Sequence, residues 1–381
     1  MKRLSILFSF ILILSMILAA CGENEGEADQ GLDEETMETE VEEEAEEVVE
    51  DEIEPLSVFT TLYPLEDFAK KIGGEHVEVT NIIPIGADAH SFEPTANQMI
   101  QIADGDLFIY NGAGFEGFAD RIKETVETHD VKVITAADGI ELIDYDHDHD
   151  HGHSHDHDHD HDHDHDHDHD HDHNHDHEHG NKDDDHDHEH GDDNHDHDHD
   201  HHHGHSHGEE DPHVWLDPIR AIQLAENIKT ALVELRPEAK ELFEENFETL
   251  KSDLEQLDQE FIAMAEEISK DTIIVSHAGY GYWEERYGIH QVGIAGISPT
   301  NEPSIRQMQD IIEFMEVNDI NYVMFEQNIP MNIAETVREE VNAEALWIHN
   351  LETLMQEDID NGEDYFSLMR RNLETLRTAL Q

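Results

Sequence analysis

FEENFETLKSDLEQLDQEFIAMAEEI, residues 243–268, is the stretch that decides the fold. Its apolar positions Phe243, Phe247, Leu250, Leu254, Leu257, Phe261, Met264 and Ile268 recur at alternating steps of four and three. That spacing puts all eight on one stripe of an α-helix extending about 38 Å at ~1.5 Å per residue. A coiled-coil seam has the same spacing, but here the pattern is confined to one segment with β-rich runs on both sides of it. A rigid helix spanning two lobes accounts for both features. Upstream, Asp217-Pro218 marks a helix start, with Asp as N-cap and Pro at the first helical position, and Pro237 begins the next helix.

Short β-rich runs precede the helix at Ser57 to Thr61, Val77 to Ile83, Leu107 to Tyr110 and Val131 to Thr135. Others follow it at Thr272 to Ser276, Tyr322 to Glu326 and Ala345 to Ile348. Helical stretches such as Pro64 to Ile72, Thr95 to Ala103 and Ser304 to Val317 separate most of them. Strand and helix alternation predicts an α/β protein of two lobes, each a mostly parallel sheet covered by helices, joined by the long helix. The expected division is an N-terminal lobe at 55–235, the inter-lobe helix at 236–270 and a C-terminal lobe at 271–381.

Two segments do not fit a packed core. Residues Gly22 to Glu54 hold 18 Asp or Glu and no Lys or Arg, a composition that repels itself and buries too little apolar surface to fold. The second segment, Asp146 to His207, is built mainly of alternating His and Asp. It contains 28 of the 35 histidines, 24 acidic residues and one lysine, so its charge runs from −23 with neutral imidazoles to +5 with all of them protonated. No apolar side chain interrupts it, and it is expected to be a disordered loop, bounded at 146–211, inserted in the N-terminal lobe. Its imidazoles, among them His147, His149, His151, His153, His155, His201, His203, His205 and His207, are expected to form many weak, exchangeable metal sites. The competing reading is a repeat tolerated because it is solvated. The formal net charge of −75, with only 20 Lys and Arg, argues against a nucleic-acid partner, because phosphate contacts need cations.

The chain opens with Lys2 and Arg3, an apolar run from Leu4 to Leu18, and Ala19-Ala20-Cys21. A charged start, an apolar centre and small residues before a cleavage point predict a secretion signal over 1–20. The run is short for a membrane span and acidic residues follow at once. Cys21 is the only cysteine, so no internal disulfide is possible. Leu18 to Cys21 resembles a bacterial lipobox, which implies that Cys21 becomes the lipidated N-terminus and that 21–54 tether the domain to the outer face of the cell membrane.

Seven histidines remain elsewhere: His76, His90, His129, His213, His277, His290 and His349. His90 lies in a loop after a predicted strand and His277 directly follows another. In open α/β sheets ligands collect at such positions. His213 sits just before the Asp217-Pro218 helix start. Neutral imidazole is a good Zn²⁺ ligand, but it also suits copper, nickel and iron, and these three residues are too far apart in sequence for spacing to join them. Taken singly, each is more often a surface or hydrogen-bonded histidine.

The segments Thr60-Thr61-Leu62-Tyr63-Pro64-Leu65, Gly86 to Pro94, Asn111-Gly112-Ala113-Gly114-Phe115-Glu116, Asp211 to Pro218, Ser276-His277-Ala278-Gly279-Tyr280 and Asn301-Glu302-Pro303-Ser304 resemble, in family order, the zinc- and manganese-specific solute-binding lipoproteins of bacterial ABC transporters. The resemblance covers about Leu56 to Leu380. It implies two α/β lobes joined by one long helix, a His-rich loop, and capture of Zn²⁺ outside the cell for delivery to a membrane permease by a monomer. It carries over the metal ligands as His90, His213 and His277. Manganese-binding members tend to have a carboxylate where His277 stands, so the histidine favours zinc. The family's fourth, acidic ligand best matches Glu352, with Glu326, His349 or a water as rivals.

Two other functional classes use the same residue types. A zinc hydrolase needs an open coordination position and a general base, yet no His-Glu-x-x-His helix or other catalytic signature occurs, and no enzyme is expected. A surface adhesin or metal buffer would use the same pocket to stabilise a binding face; lost attachment with normal zinc-limited growth on deletion distinguishes it from import.

Overall fold

The computed structural model describes residues 54–145 and 209–381. The predicted leader, Cys21, the acidic tether up to Ile53 and the His-Asp segment at 146–208, with its candidate imidazoles His147 to His207, lie outside the described residues. No helix among the described residues is long and apolar enough to cross a membrane.

The N-terminal lobe runs β1 (Leu56–Thr60), α1 (Tyr63–Gly73), β2 (Val77–Asn81), α2 (Ala96–Ala103), β3 (Leu107–Tyr110), α3 (Ala119–Val126) and β4 (Lys132–Thr135). Its sheet has the order β2-β1-β3-β4, with every pair parallel. A two-residue antiparallel ladder follows, β5 (Asp144–Tyr145) against β6 (Glu209–Glu210). The described chain therefore resumes at Glu209, ahead of the 211 boundary expected from composition, because two glutamates suffice for backbone pairing. Next comes α4 (Pro218–Leu235), whose Asp217 cap accepts from the Ile219 and Arg220 backbone N–H groups, as Asp217-Pro218 predicts.

The long helix α5 spans Lys240–Glu267, after a single tight turn over Pro237–Ala239. At 28 residues it is about 42 Å long. Seven of the eight stripe positions are buried, and Ile268 closes the helix by donating its N–H to the Met264 carbonyl. The two ends face different lobes. Phe243 meets the His76 ring edge-on and Asn246 Nδ2 donates to the Ile72 carbonyl in the N-terminal lobe. Phe261, 18 residues on, stacks on Tyr287 at 5.1 Å and tilts against Trp283 at 5.5 Å.

The C-terminal lobe runs β7 (Thr272–His277), α6 (Gly281–Tyr287), β8 (His290–Ala295), α7 (Ile305–Val317), β9 (Tyr322–Phe325), α8 (Asn332–Glu340), β10 (Glu344–Trp347), α9 (Gln356–Asn361) and α10 (Tyr365–Ala379). Its sheet order is β10-β9-β7-β8, again parallel. The sequence reading has no counterpart for β8. Gly293 interrupts its apolar pattern, and the fold requires that glycine, because a Cβ there would lie 2.7 Å from the Ala278 Cβ and 2.6 Å from the Ala295 carbonyl.

Successive residues of β7 point to opposite faces. Ile273 and Val275 enter a core that runs without a break from the N-terminal strands through α5 to α10, whereas Ile274 joins a smaller cluster with Val292, Phe325 and Val337 under α7 and α8. The larger core makes the two lobes one hydrophobic unit, so α5 is packed along its length rather than strung between domains. Replacing Phe261 by Ala removes a fully buried ring from the middle of that unit, and the expected loss of unfolding free energy is ~3–5 kcal/mol. Glu248→Ala, on the exposed face of the same helix, should stay within about 0.5 kcal/mol of the parent. Denaturant unfolding of the metal-free chain measures both, and equal effects would remove α5 from its central role.

Candidate metal centre

Both parallel sheets turn the carboxyl ends of their strands toward one point. The loop after β2 carries His90, with the backbone N–H of His90 and the hydroxyl of Ser91 both bonded to the Asp88 carboxylate. His213 stands at the entry to α4, and its backbone N–H donates to Asp211 Oδ1 at 2.9 Å. His277 is the last residue of β7, and Glu352 lies in the loop after β10.

These four residues, two from each side of the seam, are the one group of histidine, cysteine and carboxylate side chains among the described residues able to hold a metal ion, with their donor atoms all within 4.8 Å of one another. His90 Nε2 is 3.1 Å from Glu352 Oε1 and 3.4 Å from His213 Nε2. His277 Nε2 is 3.4 Å from His213 Nε2 and 3.9 Å from Glu352 Oε1. Donors at Zn–N distances of ~2.0–2.1 Å in a tetrahedron are separated by about 3.4 Å, so the spacing fits a four-coordinate Zn²⁺ with no further ligand.

Each donor is held from behind. His213 Nδ1 is 2.8 Å from Asp211 Oδ1, and His277 Nδ1 is 2.7 Å from Glu326 Oε1. An Nδ1–H donated to a carboxylate leaves the Nε2 lone pair free to face the centre. Glu326 also accepts from the Tyr280 hydroxyl at 3.2 Å. The second oxygen of Glu352 accepts from Asn328 Nδ2 at 2.9 Å. The Phe115 ring lies 4.6 Å from that of His90, carried there by a loop in which Gly112, Ala113 and Gly114 all have positive φ. Glu116 ties that loop down, accepting from the Thr61 hydroxyl and the Asn111 and Gly112 backbone N–H groups.

Burial and charge compete at each group. For His213 burial wins and holds the pKa below that of an ordinary imidazole, with the neighbouring His277 and His90 reinforcing it against Asp211. For His277 burial acts in the same direction, but Glu326, Glu352 and Asp211 together raise the pKa. Burial would also raise Glu352, yet the imidazoles facing it, His90 first, bring its carboxyl down to about 2. The Asn328 amide and the imidazoles of His90 and His277 thus meet an anionic Glu352.

The two rivals for the fourth position stand elsewhere. Glu326 is behind His277, and His349 Nε2 is 3.2 Å from Asp358 Oδ2 with its other nitrogen bonded to the Leu351 N–H. The sequence reading gave Asp211 no role. Its signal is Asp-Pro-His: an aspartate two residues before a candidate ligand can accept from both that residue's N–H and its ring. Gly279 is the other residue missed. A Cβ there would lie 2.7 Å from His277 Nε2 and 3.4 Å from His213 Nε2, inside the cradle itself.

The chain is similar to known zinc-binding proteins. The chain is 30% identical over 322 residues to the zinc-binding lipoprotein AdcA of Streptococcus pneumoniae, covering 84% of this chain and 55% of that protein. It thus spans about half the length of the AdcA proteins it matches. It is 28% identical over 367 residues to the high-affinity zinc uptake system protein ZnuA of Bacillus subtilis, covering 96% of this chain and 94% of that one. Among solved structures, the Zn(II)-bound ZnuA-like domain of Streptococcus pneumoniae AdcA superposes with a TM-score of 0.62 at 27% identity, over 86% of this chain and 99% of that one. The laminin-binding protein Lmb of Streptococcus agalactiae, described as bifunctional with adhesin and metal-transporting activity, gives 0.65 at 25% identity over 86% and 100%. The family model for ZnuA, zinc-uptake complex component A, periplasmic, matches residues 58–379, and the chain belongs to that family.

Proposed function

We propose that this chain captures Zn²⁺ outside the cell with His90, His213, His277 and Glu352 and passes it to the permease of an ABC importer, while a lipid on Cys21 and the tether 21–54 keep it at the membrane. The observation that carries the proposal is the set of donor spacings near 3.4 Å around one point. The zinc-binding names of the relatives and the family's place in zinc uptake support the choice of cargo. The chain acts as a binding protein and not as a hydrolase, because four protein donors fill a tetrahedron and leave no position for an activated water. The imidazoles between 146 and 208 serve as a weaker, separable zinc-collecting set.

Zinc titration of the full chain and of a chain lacking 146–208 tests the proposal. One tight equivalent is expected in both, and several weaker ones only in the former. In either form, H90A, H213A, H277A and E352A should each weaken the tight equivalent by more than the ~10–100-fold that loss of an outer-shell partner costs. His129 and the exposed His290, which pairs with Glu284, should be replaceable by Ala without effect. Equal losses across all these variants would remove the assignment.

The cradle yields a second expectation. G279A places a methyl within 2.7 Å of His277 Nε2, so the ring must move, and zinc affinity should fall by about as much as for loss of an outer-shell partner, ~10–100-fold. Unaltered affinity in G279A would mean that the ion sits elsewhere.

The third concerns pH. A proton and a metal compete for His277 Nε2. Because the carboxylates raise the His277 pKa above the ordinary ~6.5, affinity should begin to fall while the pH is still above that value and continue falling as the medium acidifies. E326Q removes the nearest raising charge, so it should lower affinity at neutral pH by ~10–100-fold and move the onset of the acid loss to lower pH. Chelator competition between about pH 5 and pH 8 reads both effects. An onset that stays in place or moves upward contradicts the role given to Glu326.

A further inference from the structure

His349 lies outside the donor cluster and is nevertheless among the most constrained side chains in the protein. It is 2% exposed. Its backbone is clasped by Asn372, whose Oδ1 accepts from the His349 N–H and whose Nδ2 donates to the His349 carbonyl, both at 2.8 Å. Its ring is used at both nitrogens. Nε2 is 3.2 Å from Asp358 Oδ2, and Asp358 is itself fixed by the Met355 N–H at 2.9 Å and by Arg371 at 3.0 Å. Nδ1 receives the backbone N–H of Leu351 at 2.9 Å. That pair of bonds allows one tautomer, with the proton on Nε2 and the lone pair on Nδ1.

Leu351 has a φ of 61°, a left-handed conformation that residues with a Cβ rarely adopt, and its side chain is fully buried. The residue after it is Glu352. From that turn the Glu352 carbonyl accepts from the Tyr63 N–H at 3.0 Å, its N–H donates to Asn350 Oδ1 at 3.2 Å, and its carboxylate faces His90. Relaxing Leu351 into an ordinary extended conformation would rotate this whole segment and carry the carboxylate away from the imidazoles.

We propose that His349 is a positioning residue for zinc binding, whose Nδ1 holds the Leu351 backbone in the left-handed turn that aims Glu352 at the three imidazoles. The role rests on the zinc-site reading given above, and it assigns a function to a histidine that makes no contact with the ion.

Two substitutions separate the two ring nitrogens. His349→Asn keeps an acceptor near the position of Nδ1, and His349→Gln keeps a donor directed at Asp358 but loses the acceptor for Leu351. In the full chain, with a chelator stripping every site except the tightest, H349Q should weaken zinc binding at least tenfold and H349N should stay within threefold of the parent. A purely structural histidine predicts a different pattern: a lower thermal midpoint of the metal-free H349Q chain with the tight zinc affinity unchanged, and that result overturns the proposal. So does an H349N loss as large as that of H349Q. Should H349Q not fold, His349→Ala carries the test, because it also removes the acceptor for the Leu351 N–H but leaves space in place of a misfitting amide. H349A should weaken zinc binding at least tenfold, and an unchanged tight affinity overturns the proposal. H90A and E352Q are measured alongside. If both bind zinc as the parent does while H349Q binds tenfold more weakly, the zinc-site reading fails and the positioning role falls with it. If both weaken binding and H349Q does not, the site stands and only the role of His349 is lost.

Discussion

Bringing four donor atoms from two lobes to within 4.8 Å of one another, away from water, is the constraint on which the rest of the structure depends. Two buried imidazoles, a third that is partly buried and a buried carboxylate have little solvent to reorient them, so every donor must be aimed by a neighbour. Asp211 and Glu326 aim two imidazoles, the Asp88 turn and the Phe115 ring confine the third, and the Leu351 turn presents the carboxylate.

Such aiming has value only if the lobes keep their relation. The continuous core along α5 supplies one part of that rigidity. The rest is hydrogen bonding across the seam: Trp215 Nε1 donates to the Asn350 carbonyl, Trp283 Nε1 to the Leu216 carbonyl, Tyr282 to the Asp211 carbonyl and Tyr365 to the Trp215 carbonyl. Gly86, in the loop that carries His90, donates its N–H to the Leu354 carbonyl beside Glu352. The backbone segments bearing the donors are thus bonded to each other as well as to their own lobes.

The same geometry sets the charge balance. Asp211, Glu326 and Glu352 place three carboxylates around three imidazoles, all of them buried or nearly so. A divalent cation offsets most of that negative charge, and without it protons must do so. The pKa values of His213 and His277 are displaced in opposite directions because Glu326, Glu352 and Asp211 together outweigh burial at His277, whereas at His213 burial and two imidazoles outweigh the single carboxylate of Asp211.

Several of these features are local and therefore legible in the sequence. The stripe from Phe243 to Met264 repeats with the helix period, which the chain carries without reference to anything distant. Strand and helix alternation, the Asp217-Pro218 cap and the three histidine segments are local in the same sense. Strand β8 escaped because Gly293, which the close approach of Ala278 and of the Ala295 carbonyl requires, breaks the pattern that would reveal it. The fourth donor escaped a decision for a related reason. Glu326, His349 and Glu352 all follow strands of one parallel sheet at its carboxyl end, so sequence position puts each of them near the centre. Which one faces the imidazoles depends on contacts that exist only in the folded chain, some of them between residues distant in sequence: Tyr280 and His277 draw Glu326 behind the site, Asp358 and Asn372 hold His349 to one side, and Tyr63 and the Leu351 turn leave Glu352 in front. Residue type and period are properties of the chain, but the direction of a side chain is a property of its packing.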